Sequence, residues 1–377
     1  MMPFTRLFNV LTFMAIVGCG QRNSSEEIML LEIPEESQLR YDFSQLIEGN
    51  FEITPLELSY SSGLVMPDKG LIKDGLLFLG DRGTSRSILV FDLQNKKEIA
   101  SPFLLGEGPD AFAEITDYLI YGNQLMILDG IKRRIAIYTI SLDSITFQKF
   151  LPIDFGPQRF SFDGENGYFL NGGGTEQLFT ITDKDFKTIK AMGTKNAAHL
   201  LKPYNSFHEV IINGSETILF HATFDNIIYE ASKGNISQWK KIQFPNRNLD
   251  IDLEEFPIQS DFNDFQSKMK PFNSYFIIFE KSDEKSHFLV YSGNDTPKVS
   301  IKSTDLNINL PLLNINNDIT FEAHMPAVIG THQGNYVAIT SVEGVNRNSS
   351  EFKESKMGQL LNSYPDAEYF LLVFKFK

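Results

Sequence analysis

The 377 residues contain one cysteine, one tryptophan and six histidines, and basic residues (34) are outnumbered by acidic ones (48). A single cysteine excludes an intramolecular disulfide framework and any cysteine-based zinc or iron–sulfur site. The formal net charge of −14 argues against nucleic acid as a partner, because phosphate recognition needs clustered Lys and Arg. One tryptophan also excludes the repeated Ser-x-Asp-x-Gly-x-x-Trp boxes of sialidase-like chains. Charged residues make up 22% and hydrophobic residues 42%, so the chain has the composition of a folded globule and not of a disordered polymer.

The position of the lone cysteine is informative. A short start containing Arg6 leads into an apolar run from Leu7 to Val17, then Gly18-Cys19-Gly20. A run of about a dozen apolar residues is short of the roughly 20 that cross a bilayer and fits the core of a secretory signal. Ile16-Val17-Gly18-Cys19 resembles the bacterial lipoprotein lipobox. That resemblance implies cleavage before Cys19 and acylation of its sulfur, hence a membrane partner and a lipid-anchored place in the bacterial cell envelope, at the outer membrane. A signal cut elsewhere, with Cys19 incidental, is the alternative. Residues 1–18 are thus expected as signal peptide and 19–45 as a flexible acidic tether, since Gln21 to Glu27 and Pro34-Glu35-Glu36-Ser37 are polar and acidic. Ser25-Glu26-Glu27 loosely resembles the surface-export signals of Bacteroidetes lipoproteins.

Within residues 46–377, the expected propeller, helix-period segments are hard to find beyond residue 50; short Ile-, Phe-, Tyr-, Leu- and Val-rich runs recur instead, separated by Gly, Asn, Asp and Pro. Paired runs such as Leu76–Leu79 with Ile88–Leu93, and Leu125–Asp129 with Ile135–Tyr138, recur along the chain. Leading runs start at 76, 125, 168, 218, 275 and 336, a repeat in the forties to low sixties that marks propeller blades. The expected fold is all-β, a six-bladed β-propeller of four-stranded antiparallel blades. The last run ends too near Lys377 to be followed by an outer strand, so Phe51–Leu58 is expected to supply it and close the ring. A β-sandwich is the rival architecture, although its strands do not usually recur at so long a period.

Leu105-Gly106-Glu107-Gly108-Pro109-Asp110-Ala111-Phe112 resembles the Gly-x-Gly-Pro-x-x-Phe turn between blades of the six-bladed β-propeller lipoproteins of Bacteroidetes, related to NHL- and TolB-like propellers. That family usually has Gly-Glu where this chain has Asp110-Ala111. Phe220 to Tyr229 is similar to another of its strands. The resemblance implies the fold and little about activity, because fold does not give function. Gly106, Gly108 and Pro109 are read as a tight structural turn, not a phosphate cradle, because no helix pattern follows.

Catalytic chemistry is hard to find. No Gly-x-Ser-x-Gly elbow occurs, and the histidines (199, 208, 221, 287, 324 and 332) contain no metal-type pair at three to five residues. His221 and His324 lie near predicted inner strands and are the better ligand candidates; surface or core histidines are the plainer reading. Asp250–Glu255 is acidic but lacks the calcium-loop glycine and spacing. Turns after the leading strands carry Asp81 and Arg82, then Asp129 with Arg133 and Arg134, then Asn171, and Arg159 adds a further cation. Of these, Arg82, Asp129, Arg133 and Arg159 join the candidate binding residues: an arginine in a concave mouth could hold a carboxylate or sulfated sugar by paired hydrogen bonds, or could simply pair with neighbouring acids. No cofactor and no catalytic residue is predicted. The expected function is a non-catalytic binding or assembly module for an envelope protein, glycan or peptide. The alternative is a hydrolase or lyase acting on a lactone, sugar or peptide with calcium or zinc in the channel.

Overall fold

The computed structural model describes residues 28–58, 67–82, 84–99, 103, 106–141, 144–172, 175–195, 208–212, 215–221, 227–244, 276–282, 286–293 and 296–377. The expected signal segment (residues 1–18), Cys19, Asp250–Glu255 and His199 lie outside them. The chain enters through β1 (Met29–Glu32), β2 (Tyr41–Asp42), one helical turn α1 (Phe43–Leu46) and β3 (Glu52–Glu57). Blade 1 is β4 (Lys69–Lys73), β5 (Leu76–Asp81), β6 (Ser87–Asp92) and β7 (Lys97–Ile99). Blade 2 is β8 (Asp117–Tyr121), β9 (Gln124–Asp129), β10 (Arg134–Ser141) and β11 (Ser144–Pro152). Blade 3 is β12 (Pro157–Phe162), β13 (Gly167–Asn171), β14 (Gln177–Thr182) and β15 (Thr188–Thr194). Blade 4 is β16 (His208–Ile212), β17 (Ser215–His221), β18 (Ile227–Ser232) and β19 (Asn235–Gln243). Blade 5 is β20 (Phe276–Ser282), β21 (His287–Gly293), β22 (Thr296–Lys302) and β23 (Asn307–Pro311), followed by the short β24 (Ile315–Asn316). Blade 6 is β25 (Ala327–His332), β26 (Asn335–Ser341) and β27 (Ala367–Phe374), with α2 (Ser350–Glu354) and α3 (Lys356–Ser363) inserted before its third strand.

The ring closes through β3, which pairs antiparallel with β27 from Ala367↔Glu57 to Val373↔Glu52 and so becomes the fourth strand of blade 6. Joining the two ends of the chain in one blade removes the open edge that a linear stack would leave.

Continuous apolar runs, in place of the alternation of a half-exposed sheet, follow from the stacking. Each blade is covered on both faces by its neighbours, so successive residues are buried on opposite sides. Leu76 and Phe78 pack with Tyr118, Leu125 and Ile127 of blade 2. Their alternates Leu77 and Leu79 pack with Ile329, Val337 and Ile339 of blade 6. Small residues set how closely the inner strands approach. A Cβ on Gly330 of β25 would lie 2.3 Å from the carbonyl oxygen of Gly70 on β4, so this blade junction admits only glycine there.

Two features depart from the expected layout. In five blades the leading run is the second strand, but the run beginning near 275 is the first strand of blade 5, whose second strand starts at His287. Phe276–Ser282 is as apolar as a second strand, which is why the period shifted there. Part of the segment expected as a tether, residues 28–45, instead packs on the ring. β1 adds parallel to β19, Ser37 N–H donates to the Asn309 carbonyl at 2.7 Å, and β2 pairs with β24. Leu31, Ile33 and Phe43 are buried, so apolar residues dispersed among the acids fasten the segment down.

Candidate functional site

Blades 1 to 3 bring together a cluster of charge on their inner strands. Asp117, the first residue of β8, is fully buried although it opens an otherwise apolar strand. Its Oδ1 accepts from Lys69 Nζ of β4 at 2.8 Å and from Arg82 Nη1, just beyond β5, at 3.0 Å. Its Oδ2 accepts from the backbone N–H of Phe160 on β12 at 3.1 Å. One carboxylate thereby links three blades. Arg82 also donates from Nε to both oxygens of Asp68, at 3.1 and 3.2 Å. Arg159 donates from Nη1 to the carbonyls of Thr116 at 2.9 Å and Gln158 at 2.8 Å. Lys69 Nζ also donates to the Tyr118 carbonyl, and Tyr118 Oη donates back to the Lys69 carbonyl at 2.6 Å.

The electrostatics follow from this packing. Burial opposes ionisation of Asp117, but Lys69, Arg82 and Arg159 more than offset it and hold the carboxyl at about 2. Burial lowers the Lys69 amine to about 8 against the attraction of Asp117. Burial, reinforced by neighbouring Arg82, brings Arg159 down to about 10. A base useful at neutral pH needs a pKa near the operating pH, and Asp117 is both far below it and already occupied by three donors. Asp117 is therefore suited to clamping blades together and not to serving as a base.

Beside it lies the Gly106–Phe112 turn between blades 1 and 2. Gly106 takes a φ of 155°, and its N–H donates to the Phe112 carbonyl at 2.9 Å. The next hairpin fixes the turn from outside. Lys132 Nζ donates to the carbonyls of Gly108 at 2.7 Å and Ala111 at 2.5 Å, and Arg134 Nη1 to that of Pro109 at 2.5 Å. Phe112 is then fully buried among Phe103, Tyr118 and Tyr138.

Of the residues singled out from sequence, Arg82 and Arg159 meet around Asp117. Asp129 instead works within its own hairpin and the segment leading into its blade, accepting from Lys132 N–H at 3.0 Å and Ala113 N–H at 3.0 Å and lying 3.6 Å from Arg134 Nε. Arg133 is exposed at the hairpin tip with a φ of 49°. His221 is buried at the end of β17, whereas His324 is exposed and its carbonyl accepts from Asn317 Nδ2 at 2.7 Å. Among the described residues no group of three His, Cys, Asp or Glu side chains converges as a metal site. Sequence reading missed Lys69, Asp68 and Asp117. Their signal was a charge at the edge of a strand buried on both faces.

A second acid lies on blade 6. Glu322, in the connection into β25, accepts from Thr340 Oγ1 at 3.1 Å, and burial raises its carboxyl to about 7.

With this ring and its inner-strand cluster defined, the chain belongs to the six-bladed beta-propeller family DUF5128, whose model matches residues 20–339. Among solved structures it is similar to a Bacteroides fragilis protein described as exported, with 16% identity over 93% of this chain and 100% of that one, at a TM-score of 0.70. It also aligns with streptogramin B lyase at 10% identity, over 86% of this chain and 98% of that one, with a TM-score of only 0.40. No curated protein matches. Among the described residues no helix is long and apolar enough to cross a membrane.

Proposed function

We propose that the protein is a lipid-anchored propeller of the bacterial cell envelope, acting as a non-catalytic binding or assembly module. The observation that carries the reading is that Lys69, Arg82 and Arg159 each donate to Asp117, Asp68 or backbone carbonyls within the ring. Ligand contact then falls to the exposed rim and turns, where envelope proteins, glycans or peptides would dock. The lipobox-like Ile16–Cys19 supports the anchor, and likeness to a protein described as exported agrees with passage across the inner membrane. Replacing Cys19 with Ala is expected to release the protein from the membrane fraction and abolish lipid labelling. Retention of both would overturn the anchor.

Glu322 favours a second reading, a propeller hydrolase or lyase acting on a lactone, sugar or peptide with calcium or zinc in the channel. A carboxyl poised near neutrality is a usual property of an acid–base residue. Metal analysis of the purified protein separates the two: one tightly bound equivalent of either metal per chain would overturn the binding-module reading.

A further inference from the structure

We infer that the outer edge of blade 4, formed by β1 and the neighbouring Trp239, is the face that meets the lipid surface. This rests on acylation of Cys19. Because the chain is already attached to blade 4 at Met29, only nine residues, 20–28, separate the acylated position from the ring. Nine residues span at most about 30 Å fully extended, and roughly 17 Å as a flexible coil. So short a link cannot present the far side of the ring to the membrane; it holds the blade 4 edge close to it.

The chemistry of that edge matches the position. Ile28, Met29 and Leu30 are 38%, 51% and 55% exposed, whereas the other exposed large apolar residues described stand singly along the chain. Isolated exposed apolar residues are ordinary, but a run on an outermost strand marks a contact surface. β1 is the last strand of its sheet, and Leu31 and Ile33 supply its buried attachment. Beside it, Trp239 is half-buried in the bulge of β19 where Ile228 pairs with Lys240 and Tyr229 with Gln238. Lys240 Nζ lies 4.0 Å from the centroid of the Trp239 ring but is itself buried, while the half-buried Lys241 is the register partner of Leu30. Apolar side chains flanked by Trp and Lys are the composition of a membrane–water boundary.

Trp239 is the only tryptophan, so it reports this face alone. The mature protein acylated at Cys19 would be incorporated into phosphatidylcholine vesicles, with or without acyl chains brominated near the headgroup, and followed by flotation and fluorescence. The expected result is co-flotation with at least about a twofold loss of Trp239 emission in brominated vesicles. A variant carrying Met29→Glu and Leu30→Glu, both exposed positions, is expected to float equally but lose the quenching. Flotation without quenching, or quenching that survives both substitutions, overturns the orientation and leaves the β1 edge to a protein strand. Failure of the wild type to float overturns the anchor itself, and the orientation with it.

Discussion

Asp117 and Lys69, 48 positions apart in sequence, form an ion pair of 2.8 Å that ties the inner strand of blade 2 to that of blade 1. Neither side chain is appreciably exposed, so the pair and its partner Arg82 stand or fall together. Removing one member of a buried pair leaves the remaining charges uncompensated, which typically costs about 3–5 kcal/mol. Asp117→Asn is expected to lower stability by that order in urea unfolding. Lys69→Met should cost less in the Asp117→Asn background than alone, which a double-mutant cycle would reveal. The carboxyl of Asp117 is depressed from 3.8 to about 2 in the fold. Its contribution is thus fully present above about pH 4 and is lost as pH falls towards 2. The gap in stability between wild type and Asp117→Asn should therefore narrow over that window; a constant gap would exclude ionic clamping.

Strand content, blade number and ring closure were legible because burial on both faces writes itself as unbroken apolar runs such as Leu76–Leu79, and because the last run, Tyr369–Phe374, had no following run to serve as its outer strand while Phe51–Leu58 stood ahead of the first blade. The site was less legible. Arg82 stood out as a cation after a strand, but its acceptors, Asp68 and Asp117, lie 14 and 35 residues away and are joined to it only by the ring. Asp129 and Arg133 had the same residue types in an equivalent turn, yet one caps backbone and the other faces solvent. Local sequence does not show which turn residue will reach a neighbouring blade and which will stay within its own hairpin.

The approach of Gly330 to Gly70 gives a test of blade packing that is independent of charge. Backbone sits where the new Cβ would go, and overpacking of a fixed site costs about 1–3 kcal/mol. Gly330→Ala should show that loss in chemical denaturation. Gly49→Ala, where nothing lies within 4 Å, is the control and should be close to neutral.

Closure by β3 makes a strand that precedes the first blade a structural part of the last one. Leu56 is fully buried against Leu77, Leu79 and Leu371, so Leu56→Ala is expected to cost about 2–5 kcal/mol. A chain that begins after residue 58 should fail to unfold cooperatively, because β27 then has an open edge. Retained cooperativity in that truncation would mean that three strands suffice for blade 6.

Glu322 offers a prediction of opposite sign to Asp117. Its carboxyl is raised by burial from 4.5 to about 7, so the folded state binds its proton more tightly than the unfolded chain does. Stability therefore falls as pH rises from about 4.5 to 7, and the full penalty remains above 7. Glutamine keeps the shape without the charge and can still accept from Thr340 Oγ1. Glu322→Gln should raise the melting temperature at pH 8 and leave it nearly unchanged at pH 4. If Glu322 instead serves a reaction, the same substitution would stabilise the protein while abolishing turnover. A variant that is less stable at pH 8 would show that the ionised carboxylate has a partner contributing more than its burial costs.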